Sequence, residues 1–179
     1  MNSPFSTLIH NFLLPAIFLC CTNLQIEACK CRVQLPFISY CNAHWVAHTR
    51  IESRQPEQKM PPGIVDRQIF KNFHYKVNHI ETFKFPEDLN RTSLPKDIYS
   101  AQEDAACGII LEQGHEYLLT GRYVNGTMLT QLCGQILYDD PKKAKYEDIL
   151  EWNEVPNSLH NRLKIKAFEP QCASLAVLL

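Results

Sequence analysis

The sequence predicts a mainly β protein: a small barrel with helices packed against its outside. Three observations carry this reading. Between residues 43 and 132 several short stretches alternate apolar and polar side chains, the period of a half-buried strand. Asn125-Gly126 sits between two such stretches and is a strong hairpin signal. Helix-forming residues gather after the strands, an order that favours a barrel with flanking helices over interleaved βα units.

Residues 1–28 stand apart from this domain. They contain no Lys or Arg and one acidic residue, Glu27. Phe12 to Cys21 is apolar throughout, too short to span a bilayer but the right length for the apolar stretch of a secretory signal. Ala28 is a small residue at the cleavage position, so the mature chain is expected to occupy 29–179 and begin at Cys29. The competing reading is a buried N-terminal helix. Within the mature domain, Ala43 to Ile51 reads as a strand. Glu52 to Gly63 is polar, carries Pro56, Pro61 and Pro62, and reads as a loop. Val65 to Phe85 reads as two strands or one long bent strand. Pro86 to Glu103, with Pro86, Pro95 and a sequon, reads as a second exposed loop. Gly108 to Leu132 reads as three short strands, the last two being Tyr117–Val124 and Thr127–Leu132. Pro141 to Trp152 opens on Pro and continues in helix formers, and Asn157 to Leu163 reads as a second helix. The apolar tail Ala173–Leu179 is too short for a membrane anchor and either packs on the barrel or frays.

Composition narrows the function. The chain has 179 residues, 45% hydrophobic and 21% charged, with a formal net charge of −1. Nothing in that balance marks a nucleic-acid-binding surface, which needs a basic face. Export removes Cys20 and Cys21 and leaves Cys29, Cys31, Cys41, Cys107, Cys133 and Cys172, an even set that argues for three disulfides. Six cysteines allow 15 pairings, and spacing does not choose among them. Two sequons, at Asn90 and Asn125, are candidate glycosylation sites in an extracellular protein.

A cysteine at a free N-terminus has distinctive chemistry. Its α-amine has a reference pKa of about 7.7–8.0. A neutral amine nitrogen and the carbonyl oxygen of the same residue can chelate one metal ion. A catalytic zinc keeps an open, water-held position, and a chelate entering there displaces the nucleophile. Such a terminus must be rigid, because ordering a loose one costs binding energy. Spacing alone favours the simpler reading, that Cys29 and Cys31 staple the terminus down.

Residues 29–42, from Cys29-Lys30-Cys31 through Pro36 to Tyr40-Cys41-Asn42, resemble the start of the tissue inhibitors of metalloproteinases. Ala106-Cys107-Gly108, Asn125-Gly126 followed by Cys133, and the stretch from Trp152 to Cys172 resemble later landmarks of that family's inhibitory domain. The resemblance implies a netrin-like domain with a five-stranded, OB-like Greek-key barrel and the pairs Cys29–Cys107, Cys31–Cys133 and Cys41–Cys172. It implies a non-enzymatic inhibitor of matrix metalloproteinases or related zinc proteases, with no cofactor of its own. Cys29 would bind the protease's zinc, and Lys30 would point into the primary specificity pocket. Cys31 and Arg32 would lie along the cleft, with Asp104, Ala105, Ala106 and Cys107 beside them. The expected state is a secreted monomer, with neither a nucleic-acid partner nor a membrane span. The family's longer members carry a second six-cysteine domain, which is expected to be missing here.

Two departures from the family pattern stand out. Lys30 replaces the usual Thr or Ser, so a charged head meets a mostly apolar pocket and pays desolvation unless it finds a partner. Its methylene stem can line the pocket while the ammonium reaches water or a carboxylate. A narrowed or shifted protease spectrum, or loss of inhibition, follows. Arg32-Val33 stands where the family has a small residue and Pro. A rival reading is a non-inhibitory netrin-like extracellular binding module. A zinc hydrolase is disfavoured: His44-Trp45-Val46-Ala47-His48 has a zinc helix's spacing but lacks the Glu that serves as base. His44 and His48 are then strand histidines, and His74 and His79 are expected at the surface or at a partner face. Asp139-Asp140 and Glu147-Asp148 read as solvated charge.

Overall fold

The computed structural model describes residues 29–64, 71–89, 92–138 and 149–176. The elements in chain order are α1 (Pro36–Asn42), β1 (Trp45–Gln58), β2 (Asn72–Lys84), β3 (Asp97–Ala101), β4 (Glu116–Val124), β5 (Thr127–Leu129), α2 (Asn157–Lys164) and α3 (Glu169–Ala176). Short 3-10 turns occupy Asp104–Ala106 and Trp152–Glu154. The strands close into a barrel in the order β1-β2-β3-β5-β4, and β1 pairs with both β2 and β4. All pairings are antiparallel except β3–β5, a parallel seam of two residue pairs, Ile98↔Met128 and Tyr99↔Leu129. This is the mainly β, five-stranded barrel with flanking helices that the sequence predicts.

Alternation along β1 explains its central place. Trp45, Ala47 and Ile51 enter the barrel interior beside Tyr75, Val77, Ile98, Leu119 and Met128. Val46 points the other way, into a second core of Tyr40, Phe83, Leu118, Leu159, Leu163 and Phe168 beneath the helices. Both faces of Trp45–Thr49 are therefore buried. In α2, Leu159 and Leu163 are four residues apart, share one helical face and bury it. Cys41–Cys172 joins α1 to α3 with a Cα–Cα distance of 5.2 Å, against 5.1 Å in the other two bridges. Trp152 stacks on His48 at 3.6 Å and meets His160 of α2 edge-on at 5.0 Å, fastening the helical layer to the barrel.

Several sequence expectations are corrected. Residues 52–58 are strand, not loop: β1 runs to Gln58 and forms a long hairpin with β2. Pro56 is tolerated because the register slips between Gln55 and Gln58, so no ladder bond is asked of it, and Glu57 there takes φ 57°. The tract 86–103 contains β3, whose Ile98, Ser100 and Ala101 are buried. Residues 108–115 are not a strand. Three of their amides are held by side-chain hydroxyls, Ile109 donating to Ser100 Oγ (3.0 Å), Leu111 to Tyr75 OH (3.2 Å) and Glu112 to Tyr117 OH (3.1 Å), while the Gly114 amide returns to the Ile51 carbonyl of β1 (2.8 Å). The hairpin at Asn125-Gly126 is present, with φ of 48° and 81°, the left-handed pair such a turn needs.

Most of the expected helix 141–152 lies outside the described residues. Ile149 and Leu150 are irregular, and Glu151 bridges Tyr117. Helix α1, with Pro at its first turn, has no counterpart among the sequence expectations, and Ala173–Ala176 of the tail extends α3 beyond Cys172. Asp139-Asp140, Glu147-Asp148 and Asn90 fall outside the described residues, as do 1–28 and 177–179.

Candidate functional site

Residues 29–35 lead into α1 without regular structure, and two disulfides tie their start to the barrel rim. Cys29 bonds Cys107, which closes the Asp104–Ala106 turn directly after β3. Cys31 bonds Cys133, four residues beyond β5. β3 and β5 form the parallel seam, so both anchors leave the barrel side by side. The Leu132 amide donates to the Cys107 carbonyl at 2.9 Å and joins the anchor loops directly. The sulfurs meet as well: Cys29 Sγ lies 3.4 Å from Cys133 Sγ, and Cys133 Sγ lies 3.6 Å from Cys107 Sγ.

The 104–107 turn is built to hold one shape. Ala106 and Gly108 both donate to the Glu103 carbonyl (3.0 and 3.3 Å), and Cys107 donates to the Asp104 carbonyl (3.0 Å). Cys107 takes φ 55°, a left-handed conformation that costs a non-glycine residue free energy. A Cβ on Gly108 would collide with the Ala101 carbonyl and sit 3.2 Å from that of Glu103, so only glycine lets the turn press onto the end of β3.

The bridges bring Cys29, Lys30, Cys31 and Arg32 together with the turn Asp104, Ala105, Ala106 and Cys107. Lys30, Arg32, Asp104 and Ala105 are exposed, and the four bridged cysteines are half-buried. Val33, Leu35 and Ile110 add exposed apolar surface, at 37%, 54% and 57%. The arrangement is a doubly stapled ridge, cationic and apolar, whose first residue offers backbone atoms and whose second offers a side chain. Residue types alone could not show the supports: Gly108, the Glu103 carbonyl, the Leu132 amide and the Tyr75 hydroxyl behind Ile109–Leu111. Only the Cys107-Gly108 dipeptide hinted at them.

The other candidates lie elsewhere. Asn125 is exposed in the β4–β5 turn, where its side-chain amide donates to the Gly63 carbonyl at 2.9 Å. His44 is exposed, its Nδ1 against the Tyr123 backbone. His48 is buried and bonded to Glu116 at 2.7 Å, so the two histidines do not converge on a metal. Burial holds His48 below the ordinary histidine pKa, against the pull of Glu116. His79 is half-buried, with Nε2 donating to the Pro95 carbonyl (2.9 Å) and Nδ1 accepting from Thr49 (3.0 Å). His74 is half-buried, 2.6 Å from Asp97. A groove of about 740 Å³ opens beside the ridge, between α1 and the β4–β5 hairpin. Among the described residues no helix is long and apolar enough to cross a membrane.

Residues 27–141 match the family model for the tissue inhibitor of metalloproteinase. The chain is 44% identical over 138 residues to the putative metalloproteinase inhibitor tag-225 of Caenorhabditis elegans, covering 76% of this chain and 85% of that relative. It is 26% identical over 122 residues to metalloproteinase inhibitor 3 of Gallus gallus and 25% over 121 residues to that of Xenopus laevis. Those two alignments cover 66% and 67% of this chain, which spans about half the length of each vertebrate relative (52% and 51%).

Proposed function

Because the chain belongs to the tissue inhibitor of metalloproteinase family, whose members are inhibitors and not enzymes, we propose that it is exported and blocks zinc metalloproteinases with the ridge that begins at Cys29. The observation that supports this reading is the double staple: residues 29 and 31 are each covalently tied to adjoining loops at one rim, leaving Lys30 exposed between them. Once residues 1–28 are removed, the Cys29 amine and carbonyl present two ligand atoms on one fixed residue. They would occupy the target zinc's open position and displace the water that attacks the peptide. The staples have already ordered the terminus, so binding loses less conformational entropy. The amine must be neutral to ligate, and with a reference pKa of about 7.7–8.0 its affinity falls with acidification. Lys30 extends toward the pocket that selects the substrate side chain, and Asp104–Ala106 lies beside it in the cleft. The partner class is matrix metalloproteinases or related enzymes.

The test is to secrete the protein, read its N-terminus by mass spectrometry and titrate metalloproteinase catalytic domains. A second form carries one extra Ala ahead of Cys29. The reading requires a Cys29 terminus and inhibition of at least one enzyme. It also requires loss of that inhibition in the extended form, with an unchanged melting temperature. A Cys29-terminal protein that leaves every enzyme active would sink it.

A further inference from the structure

The two ridge disulfides share a sulfur neighbourhood. Besides the 3.4 Å and 3.6 Å contacts of Cys133 Sγ, Cys29 Sγ lies 3.9 Å from Cys31 Sγ, and the Cys29, Cys107 and Cys133 sulfurs all fall within 4.8 Å of one another. Every one of these sulfurs is in a disulfide, so the cluster holds no thiolate for a metal. What it offers instead is thiol–disulfide exchange.

We propose that Cys29–Cys107 and Cys31–Cys133 form one exchange unit with Cys133 as the shared sulfur, so that opening the first bridge is passed to the second and frees Cys31. The reductant is a small dithiol. Its first thiolate attacks one sulfur of Cys29–Cys107, and its second displaces the resulting mixed disulfide. The dithiol is oxidised to its cyclic disulfide, and Cys29 and Cys107 are left as thiols. No further electrons are needed. The Cys29 or the Cys107 thiolate attacks Cys133 Sγ, a new S–S bond forms, and the Cys31–Cys133 bond breaks. Cys31 leaves as a thiolate and takes a proton from water. Both sulfurs lie about one sulfur–sulfur contact from their target; Cys29 meets the Cys31–Cys133 bond side-on, and once its own bridge is open its side chain turns to attack in line. The four cysteines are half-buried, which lets a small thiol in.

The two products differ in consequence. Cys29–Cys133 re-tethers the terminus to the other loop. Cys107–Cys133 joins the loops, already hydrogen-bonded through Leu132, and releases residues 29–35 from both anchors. Cys41–Cys172, between α1 and α3, takes no part. If Cys29 acts as proposed above, either product removes the inhibitory geometry; the effect on inhibition rests on that reading, and the exchange does not.

Cys107→Ser leaves Cys29 as a free thiol beside an intact Cys31–Cys133 bridge. The variant is incubated with iodoacetamide at mildly alkaline pH over a range of reagent concentrations, digested and mapped by mass spectrometry. The expected result is chains labelled on Cys31 and joined Cys29–Cys133, their share rising as the reagent is diluted and trapping slows. Label confined to Cys29 at every concentration overturns the proposal. Should the variant not fold, wild-type protein opened with limiting dithiothreitol and then alkylated gives the same decision: singly reduced chains labelled on Cys31 together with Cys29 or Cys107, with Cys133 still bridged, support exchange, and label only on the pairs Cys29 with Cys107 or Cys31 with Cys133 refutes it. Neither readout involves a protease, so its failure is distinct from failure of the inhibitor reading.

Discussion

Removing the Tyr75 hydroxyl isolates what supports the segment behind the ridge. Tyr75 is fully buried in β2, and its hydroxyl donates to the Ile109 carbonyl at 2.8 Å while accepting the Leu111 amide at 3.2 Å. Burial, foremost, pushes its pKa up to about 12, so it is a neutral phenol at every relevant pH. Ile109–Leu111 follows Cys107-Gly108 directly and has no strand partner. In Tyr75→Phe the ring packing stays, the vacated space is smaller than a water molecule, and one buried carbonyl and one buried amide lose this partner. Each orphaned group costs about 1–3 kcal/mol, so a loss of roughly 2–6 kcal/mol is expected. For a domain of this size that lowers the melting temperature by roughly 4–24 °C. Urea unfolding with the disulfides intact measures it, and exchange of the Leu111 amide should accelerate in parallel. A loss below about 0.5 kcal/mol would show that water satisfies the segment and that Tyr75 is not its support.

Gly121→Ala should destabilise by at least about 3 kcal/mol in the same assay, because the new Cβ would collide with the Leu129 carbonyl and lie 2.6 Å from a Trp45 ring carbon. Lys30→Thr should widen the range of metalloproteinases inhibited, since it removes an ammonium whose desolvation opposes entry into an apolar pocket; a panel titration showing no change or a loss would count against this. Stability should fall as pH drops below about 6.5. Burial holds His48 and His79 below the ordinary value, His48 with Glu116, Glu81 and His160 as charged neighbours and His79 with Lys96. The unfolded chain therefore takes up protons that the fold refuses, and the contribution, fully present above that pH, is lost by up to about 1.4 kcal/mol per pH unit for each histidine until the folded pKa is reached. Melting curves from neutral to mildly acidic pH test the sign, and a flat profile rejects it.

The barrel class was legible in the sequence because it rests on period-two alternation and on Asn125-Gly126, both local signals. The helix from Asn157 was legible for the same reason, through Leu159 and Leu163. Strand β3 was not: five residues between Pro95 and the 104–107 turn are too few for alternation to register, and only pairing with β2 makes Asp97–Ala101 a strand. The outer half of β1 was hidden by Pro56, which breaks a strand unless it sits at an edge or a bulge. Residues 108–115 carry strand-like composition, yet the hydroxyls of Ser100, Tyr75 and Tyr117 claim three of their amides. At the ridge, cysteine order and the family likeness identified the participants. The fit of Gly108 against Ala101 and the contact between the two bridges are tertiary facts with no local trace.

The parallel seam between β3 and β5 has only two residue pairs and is flanked by the Thr130 amide donating to the Tyr99 carbonyl at 2.9 Å. On its own it would be the barrel's natural place to gape. Its strands lead directly into Cys107 and Cys133, so the leading segment acts as a clasp across it, and local opening there must drag two covalent tethers along. The rim that carries the exposed ridge is thereby cross-braced where, among the described strands, the pairing is shortest.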